Sequence, residues 1–393
     1  MNVLFCTDGK IGRRGGVANY TQLMFAHFDR SKVVPYDWNL WTDFELPPLS
    51  EPSLSIALYR KYKIATVLLT LPRLVRRGEI DIVHLNPSLV PRAVLRDLAF
   101  ARRCISSNIP FVVFFRGWNK KFENRINQQP RLARKLVDTF GRASAVMVLA
   151  SEFKDKLEKW GFDKNRIIVE TTTVDDRLLN SLDILSHIKN SASRDRFNIL
   201  FLARIEKDKG VYDAIETYRI LKSKYSFVSL TIAGDGSELH LVRDYIFRNK
   251  IEGVTILGWV DRENKRKAYL DADLYLFPTS WGEGMPNSVL EAMAFGLPII
   301  TRPVGGLADF FEDGKMGSIM QSKSPEKLAS ACETFIEDRV FGSIVSTYNH
   351  NYAVNRFLAS RVARRIEAIY ESVLTSKESR SGRSGVLLEK KAR

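Results

Sequence analysis

Two glutamates stand eight positions apart in EGMPNSVLEAMAFGLP, residues 283–298: Glu283 and Glu291. Paired carboxylates can share acid and base work, or they can accept hydrogen bonds from a vicinal diol such as a ribose 2′,3′ pair. The residues around them decide where each one sits. LYLFPTS (274–280) reads as a strand and WGEG as a loop; Pro286 suits the first turn of a helix, and Gly296, with Pro298 beyond it, suits the stop. Glu283 then falls in the loop at the carboxyl end of a strand. Glu291 falls about one turn into the helix, within roughly 10 Å of its start. The N–H groups of Asn287, Ser288 and Val289 open out of that start and can hold a phosphate. One helix start can grip a nucleotide by phosphate and ribose while Glu283 reaches whatever is attached beyond.

Other segments bring cations and glycines to similar positions. FLARIEKDKG (201–210) puts Arg204 and Lys209 on a loop after a strand, where a forked and a point-like cation suit a diphosphate. IAGDGSEL (232–239) reads as a strand, a Gly-Asp-Gly turn and a helix. GRRGGVANY (12–20) opens the first helix with Gly12, Gly15 and Gly16, a spacing that is not the dinucleotide fingerprint; a tight strand-to-helix turn is the plain alternative. Asp271 and Asp273 in DADLYL match a DxD metal motif but precede their strand, at the wrong end of a sheet for a ligand. His84 in DIVHLNPS reads as a buried structural histidine.

These loops need a sheet to align them. VLFCTD (3–8), DIVHLNP (81–87), PFVVFFRG (110–117) and AVMVLAS (145–151) read as strands between helical patterns, the first running from about Ala18 to Phe28. After a polar stretch the alternation restarts at NILFLAR (198–204) and continues through VSLTIAG (228–234), VTILGWV (254–260), LYLFPTS and LPIITRP (297–303). Strands alternating with helices imply parallel sheets covered on both faces. The fold class expected is α/β, with two Rossmann-like doubly wound domains facing across a cleft. The first spans 1–175, a linker 176–196, and the second 197–375; its last helix, about Ser360 to Leu374, is free to pack back on the first domain. Residues 376–393 are expected to form a disordered tail. Ligands of such sheets sit at the carboxyl ends of strands.

A chain of 393 residues accommodates two domains. No apolar run reaches the ~18 residues of a membrane span, and MNVLFCTDGK lacks the basic start and apolar stretch of a signal peptide. Cys6, Cys104 and Cys332 are far apart and odd in number, which suits reduced thiols in a cytoplasmic protein. Net charge is +15, of which residues 1–170 carry +12 and the remainder +3. So one-sided a field attracts anionic partners.

The ordered set GGVANY, FLARIEKDKG, IAGDG and FPTSWGEGMPNSVLEAMAFGLPIITRPVGGLADFFEDGKMG resembles the retaining GT-B glycosyltransferases of the glycogen-synthase-like, family-4 type. The resemblance covers most of the chain. It implies transfer of a sugar from a UDP- or GDP-sugar to a hydroxyl with retention at the anomeric carbon, the departing phosphate taking the acceptor's proton. That route calls for no metal, no cofactor and no dedicated base. Carried over by position, Glu291 would bind the ribose, and Glu283 the donor sugar near the reacting carbon. Arg204 and Lys209 would bind the diphosphate and stabilise the leaving charge. Gly16 would offer a backbone N–H to it from the first domain. Gly284, Met285, Pro286, Asn287 and Ser288 would hold the sugar, and Gly258 to Val260 would lie near the base. Two departures stand out: Arg116 occupies the place of a histidine common in relatives, and ETTTVDD (170–176) replaces an expected Asn-Gly.

The same resemblance assigns the acceptor to the first domain, with Arg14, Asn86 and Arg116 on that side. The acceptor expected is a glycan or lipid-linked molecule in cell-surface polysaccharide, lipopolysaccharide or glycolipid assembly. ALYRKYKIATVLLTLPRLVRR (57–77) suits a helix on the inner face of an anionic membrane, or a buried helix pair broken near Pro72. The competing readings are a nucleotide-sugar epimerase, disfavoured by EGMPNSVLEAM, and a non-catalytic glycosyltransferase-like binding protein, which Arg116 leaves open. Nucleic acid is not an expected partner, since no reading motif is present.

Overall fold

The computed structural model describes residues 1–6, 16–37 and 54–389, and the chain divides into two compact units. Unit 1 comprises Met1–Thr172 together with Ala359–Arg393; unit 2 is Thr173–Leu358.

Unit 1 holds β1 (Asn2–Cys6), β2 (Val34–Asp37), β3 (Ile82–Leu85), β4 (Ser88–Leu89), β5 (Phe111–Phe115), β6 (Gly117–Trp118), β7 (Ala145–Val148) and β8 (Ile167–Val169). Six of these form one sheet in the order β2-β1-β3-β5-β7-β8, with every pairing parallel. β3 (IVHL) and β5 (FVVFF) are buried at every position, as strands covered on both faces must be. The short β4–β6 pair joins the chain just beyond β3 to the chain just beyond β5, and Arg116 N donates to Pro87 O at 3.0 Å. Asn86 and Arg116 are thereby held on neighbouring strand ends.

The helices of unit 1 are α1 (Gly16–His27), α2 (Leu54–Arg76), α3 (Pro91–Ser106), α4 (Lys120–Gln128), α5 (Pro130–Val137), α6 (Ser151–Trp160) and, from the end of the chain, α14 (Ala359–Glu389). α14 packs on α1; its buried Glu367 accepts from Asp29 N at 2.7 Å, and its Tyr370 hydroxyl meets His84 Nδ1 at 2.5 Å. Its side chains are described as far as Thr375, and its backbone continues as helix to Glu389, where a disordered tail from 376 was expected. α2 runs unbroken through Pro72, correcting the expected helix pair. Val67 and Leu71 face inward while Tyr62 and Leu69 are exposed.

Unit 2 holds β9 (Phe197–Leu202), β10 (Val228–Ala233), β11 (Val254–Gly258), β12 (Leu274–Phe277), β13 (Ile299–Thr301) and β14 (Gly317–Ile319), in the order β11-β10-β9-β12-β13-β14 and again all parallel. Its helices are α7 (Ile184–Ser191), α8 (Val211–Lys224), α9 (Leu239–Arg248), α10 (Arg262–Leu270), α11 (Asn287–Ala294), α12 (Pro325–Glu337) and α13 (Arg339–Arg356). The stretch 176–196, expected as a linker, carries α7, and its Leu178, Ile184 and Ile188 are buried in the unit 2 core. Strand order reverses between β9 and β12, the kind of switch point at which open α/β sheets bind ligands in a crevice outside the carboxyl ends of the strands.

Candidate functional site

The two loops flanking that crevice carry the cations and one carboxylate. After β9 the chain passes Arg204, makes a short turn at Lys207–Lys209 and enters α8 through Gly210, whose φ of +85° suits glycine. The loop after β12 is fastened to this turn: Asp208 O accepts from Ser280 N at 2.9 Å and Trp281 N at 3.1 Å. Lys209 is 6 % exposed and its ammonium is hydrogen-bonded to Glu283. Trp281 faces both cations, with Lys209 Nζ 5.4 Å and Arg204 Cζ 6.0 Å from its ring. Arg204 is exposed and pairs with Glu206 at 2.8 Å. Lys209, Glu283 and Arg204 thus stand together, with Lys209 held rigidly and Arg204 free to reorient.

Glu291 sits apart from them on the second turn of α11 and is 5 % exposed. Lys265 donates to its Oε1 at 2.7 Å and Tyr269 to its Oε2 at 2.9 Å, both from α10. Each carboxylate oxygen keeps a lone pair for a further donor. Burial, with Glu291 adding to it, pushes the Tyr269 phenol well above its ordinary range, so it stays a donor. Pro286 caps α11, leaving the N–H groups of Asn287 and Ser288 without helical acceptors. Gly306 N donates to Gly284 O at 2.9 Å, and a Cβ on Gly305 would lie 2.4 Å from Glu283 O. The two glycines after β13 therefore press the Glu283 loop into place. Arg302, 5 % exposed, ties the Pro278 carbonyl to Asp213.

Gly258 ends β11 with φ of +67° and open space on its Cβ side; Val260 follows at the same edge. Met285 packs against the core beside Pro286. Lys265, Tyr269 and Arg302 were not among the expected site residues. Asp273 lies at the amino end of β12, where it accepts from Asn198 N at 2.7 Å, so the DxD pair has a structural task. Among the described residues no three His, Cys, Asp or Glu side chains lie close enough to hold a metal ion.

The remaining expected residues belong to unit 1. Gly16 is the exposed first residue of α1, and Arg14 lies outside the described residues. Asn86 and Arg116 immediately follow β3 and β5. His84 is fully buried against Phe5, with ring centroids 4.6 Å apart, and burial holds its imidazole down to about 3, with nearby Asn86 acting weakly the other way.

Residues 184–352, which contain the whole of this carboxyl-edge arrangement in unit 2, match the family model of the glycosyl transferases group 1. Over that segment the chain is similar to the group 1 glycosyltransferases. The chain is 26 % identical over 265 residues to WcaL of Escherichia coli strain K12, a protein assigned to colanic acid biosynthesis; the match covers 66 % of this chain and 62 % of WcaL. It is 27 % identical over 188 residues to the capsular polysaccharide biosynthesis glycosyltransferase CapM of Staphylococcus aureus, covering 47 % and 49 % of the two chains. The chain therefore spans less than two thirds of WcaL and about half of CapM. Among solved structures, Anabaena HepE in complex with UDP and glucose matches with a TM-score of 0.67 at 17 % identity, covering 94 % of this chain and 99 % of HepE. A sucrose-phosphate synthase of Thermosynechococcus elongatus matches with a TM-score of 0.70 at 16 % identity, covering 95 % and 99 %. The two six-stranded parallel sheets flanked by helices, matching these solved structures over nearly the whole chain, make the fold GT-B.

Proposed function

We propose that the protein is a retaining glycosyltransferase that moves a sugar from a nucleotide donor, UDP-linked in the first instance, to a hydroxyl of a glycan or lipid-linked acceptor in cell-surface polysaccharide assembly. The observation that carries the reading is the carboxyl edge of unit 2, where Lys209 with Glu283 and the Lys265–Tyr269-braced Glu291 flank the open start of α11. Glu291 accepts from the ribose hydroxyls, and the N–H groups of Asn287 and Ser288 hold the diphosphate. Arg204 and Lys209 stabilise the charge that grows on the leaving phosphate, which takes the acceptor's proton as the glycosidic bond exchanges. Glu283, fixed by Lys209, meets the sugar; Gly284 to Ser288 line it, and Gly258 and Val260 border the base. No metal and no cofactor enter this scheme. The named roles of WcaL and CapM in polysaccharide biosynthesis support the assignment of pathway class.

Calorimetric titration of UDP and GDP tests the reading. Glu291→Ala should abolish binding of whichever nucleotide binds; retained affinity would remove the ribose assignment. A peripheral place on anionic membranes is the second part. Among the described residues no helix is long and apolar enough to cross a membrane. On α2, however, Tyr62, Leu69, Arg73 and Arg76 are all exposed. Flotation with phosphatidylglycerol vesicles at moderate salt checks it, and failure to float removes it.

A further inference from the structure

The carboxyl edge of the unit 1 sheet contains a group of buried polar atoms that the protein itself does not satisfy. Arg116 stacks its guanidinium on the Tyr20 ring, with Cζ 3.8 Å from the centroid, and lies 4.8 Å from that of Phe114. Its Nη2 donates to Thr172 Oγ1 at 2.8 Å. Its Nε and Nη1 are buried and make no hydrogen bond. The carboxylate that could neutralise it, Glu170, is occupied: Arg365 grips it with two bonds of 2.9 and 2.7 Å, and Thr171 N donates to it at 2.8 Å. Asn86, 2 % exposed, makes no side-chain hydrogen bond through either amide atom, and the Tyr20 and Thr171 hydroxyls are buried without partners as well.

Buried polar groups in folded proteins are nearly always paired, and a buried charge needs a counter-charge. Here one guanidinium, one amide and two hydroxyls, all able to donate, are gathered without one among the described residues. Donors so collected around a fixed cation form a receptor for an oxyanion. The geometry points to a second anion site in unit 1, distinct from the nucleotide's diphosphate site, in which Arg116, Asn86, Tyr20 and Thr171 receive an oxyanion carried by the sugar substrate itself. That oxyanion is a carboxylate, as on a uronic acid, or a phosphate ester. The inference rests on the sugar-transfer reading and narrows it to an acidic substrate.

The test uses the full chain and three probes: D-glucuronate, glucose 6-phosphate and D-glucose, titrated by ligand-observed NMR. One of the two anionic probes should bind, and its affinity should fall at least about tenfold in Arg116→Gln, as expected for a lost charge-assisted contact. Arg116→Lys should keep part of it. Asn86→Asp should supply the missing negative charge from within, abolish anion binding and raise the melting temperature, so misfolding cannot imitate the result. Preference for glucuronate identifies a sugar carboxylate, and preference for glucose 6-phosphate a phosphate ester. Equal binding by wild type and Arg116→Gln, or binding of D-glucose as tight as either anion, overturns the inference. Nucleotide titration into Arg116→Gln keeps the two readings apart: it should be unaffected, whereas Glu291→Ala should remove nucleotide and spare the anionic sugar.

Discussion

Replacing Arg116 by methionine should stabilise unit 1, the reverse of what truncating a buried side chain usually does. Burial lowers the guanidinium from its ordinary value to about 10, with Tyr20 and Glu170 only partly opposing the shift. Each pH unit corresponds to ~1.4 kcal/mol, so the charged form is disfavoured by roughly 3 kcal/mol on folding. The sign follows from the group being a base with a depressed folded value. The penalty is present in full below about 10 and is relieved only as pH rises from there towards the ordinary arginine value, so it operates at neutral pH, where arginine stays charged. Methionine forfeits the Thr172 hydrogen bond, worth about 1 kcal/mol, and the stacking on Tyr20, worth about another. A net gain of about 1 kcal/mol remains, or roughly 2–4 °C for a unit of this size. Scanning calorimetry reads it, provided the unit 1 transition is resolved from that of unit 2. A melting temperature lowered by more than about 2 °C would refute the reasoning, since Arg116 would then be a structural residue whose contacts outweigh its desolvation.

Other residues give further tests. Lys209→Met should lower kcat for sugar transfer by about 10²–10³, the usual cost of losing one electrostatic stabiliser of a developing anion, with nucleotide affinity much less affected; steady-state kinetics separates the two. Gly305→Ala costs about 1–2 kcal/mol through its φ of +52° alone. Its methyl would also displace the backbone of Glu283 and Gly284, so KM for the donor should rise, and unchanged kinetics would show that this loop does not shape the sugar site. Because burial holds His84 neutral down to about 3, the unfolded chain takes up a proton that the folded one refuses as pH falls below the ordinary imidazole range. Stability should fall by up to ~1.4 kcal/mol per pH unit between about 6 and 3, and urea titrations should show a shallower slope in His84→Gln.

The central strands were legible because they are unbroken apolar runs ending at glycine, proline or arginine. The edge strands β2 (VPYD), β8 (IIV) and β14 (GSI) were not: four or three residues are too few to show a period, and only pairing with a neighbour makes them strands. In the site, Glu283 and Glu291 were readable from the helix start between them. Lys265 and Tyr269 were not, since α10 (RENKRKAYL) looks like a charged surface helix until its register against α11 is known. Arg302 was hidden for the same reason: a lone arginine at a strand end carries no sign of the carbonyl it will bind. Arg116 was visible as a departure from relatives, but its missing counter-ion is a fact of three dimensions.

Unit 2 is one continuous segment, whereas unit 1 is completed only by α14. During synthesis, residues 173–358 can therefore fold as soon as they leave the ribosome, while the first 172 wait. Until the last helix arrives, His84 lacks Tyr370, Glu170 lacks Arg365 and the Asp29 amide lacks Glu367. A chain cut short after residue 358 would keep unit 2 whole and leave those three groups of unit 1 without their partners on α14.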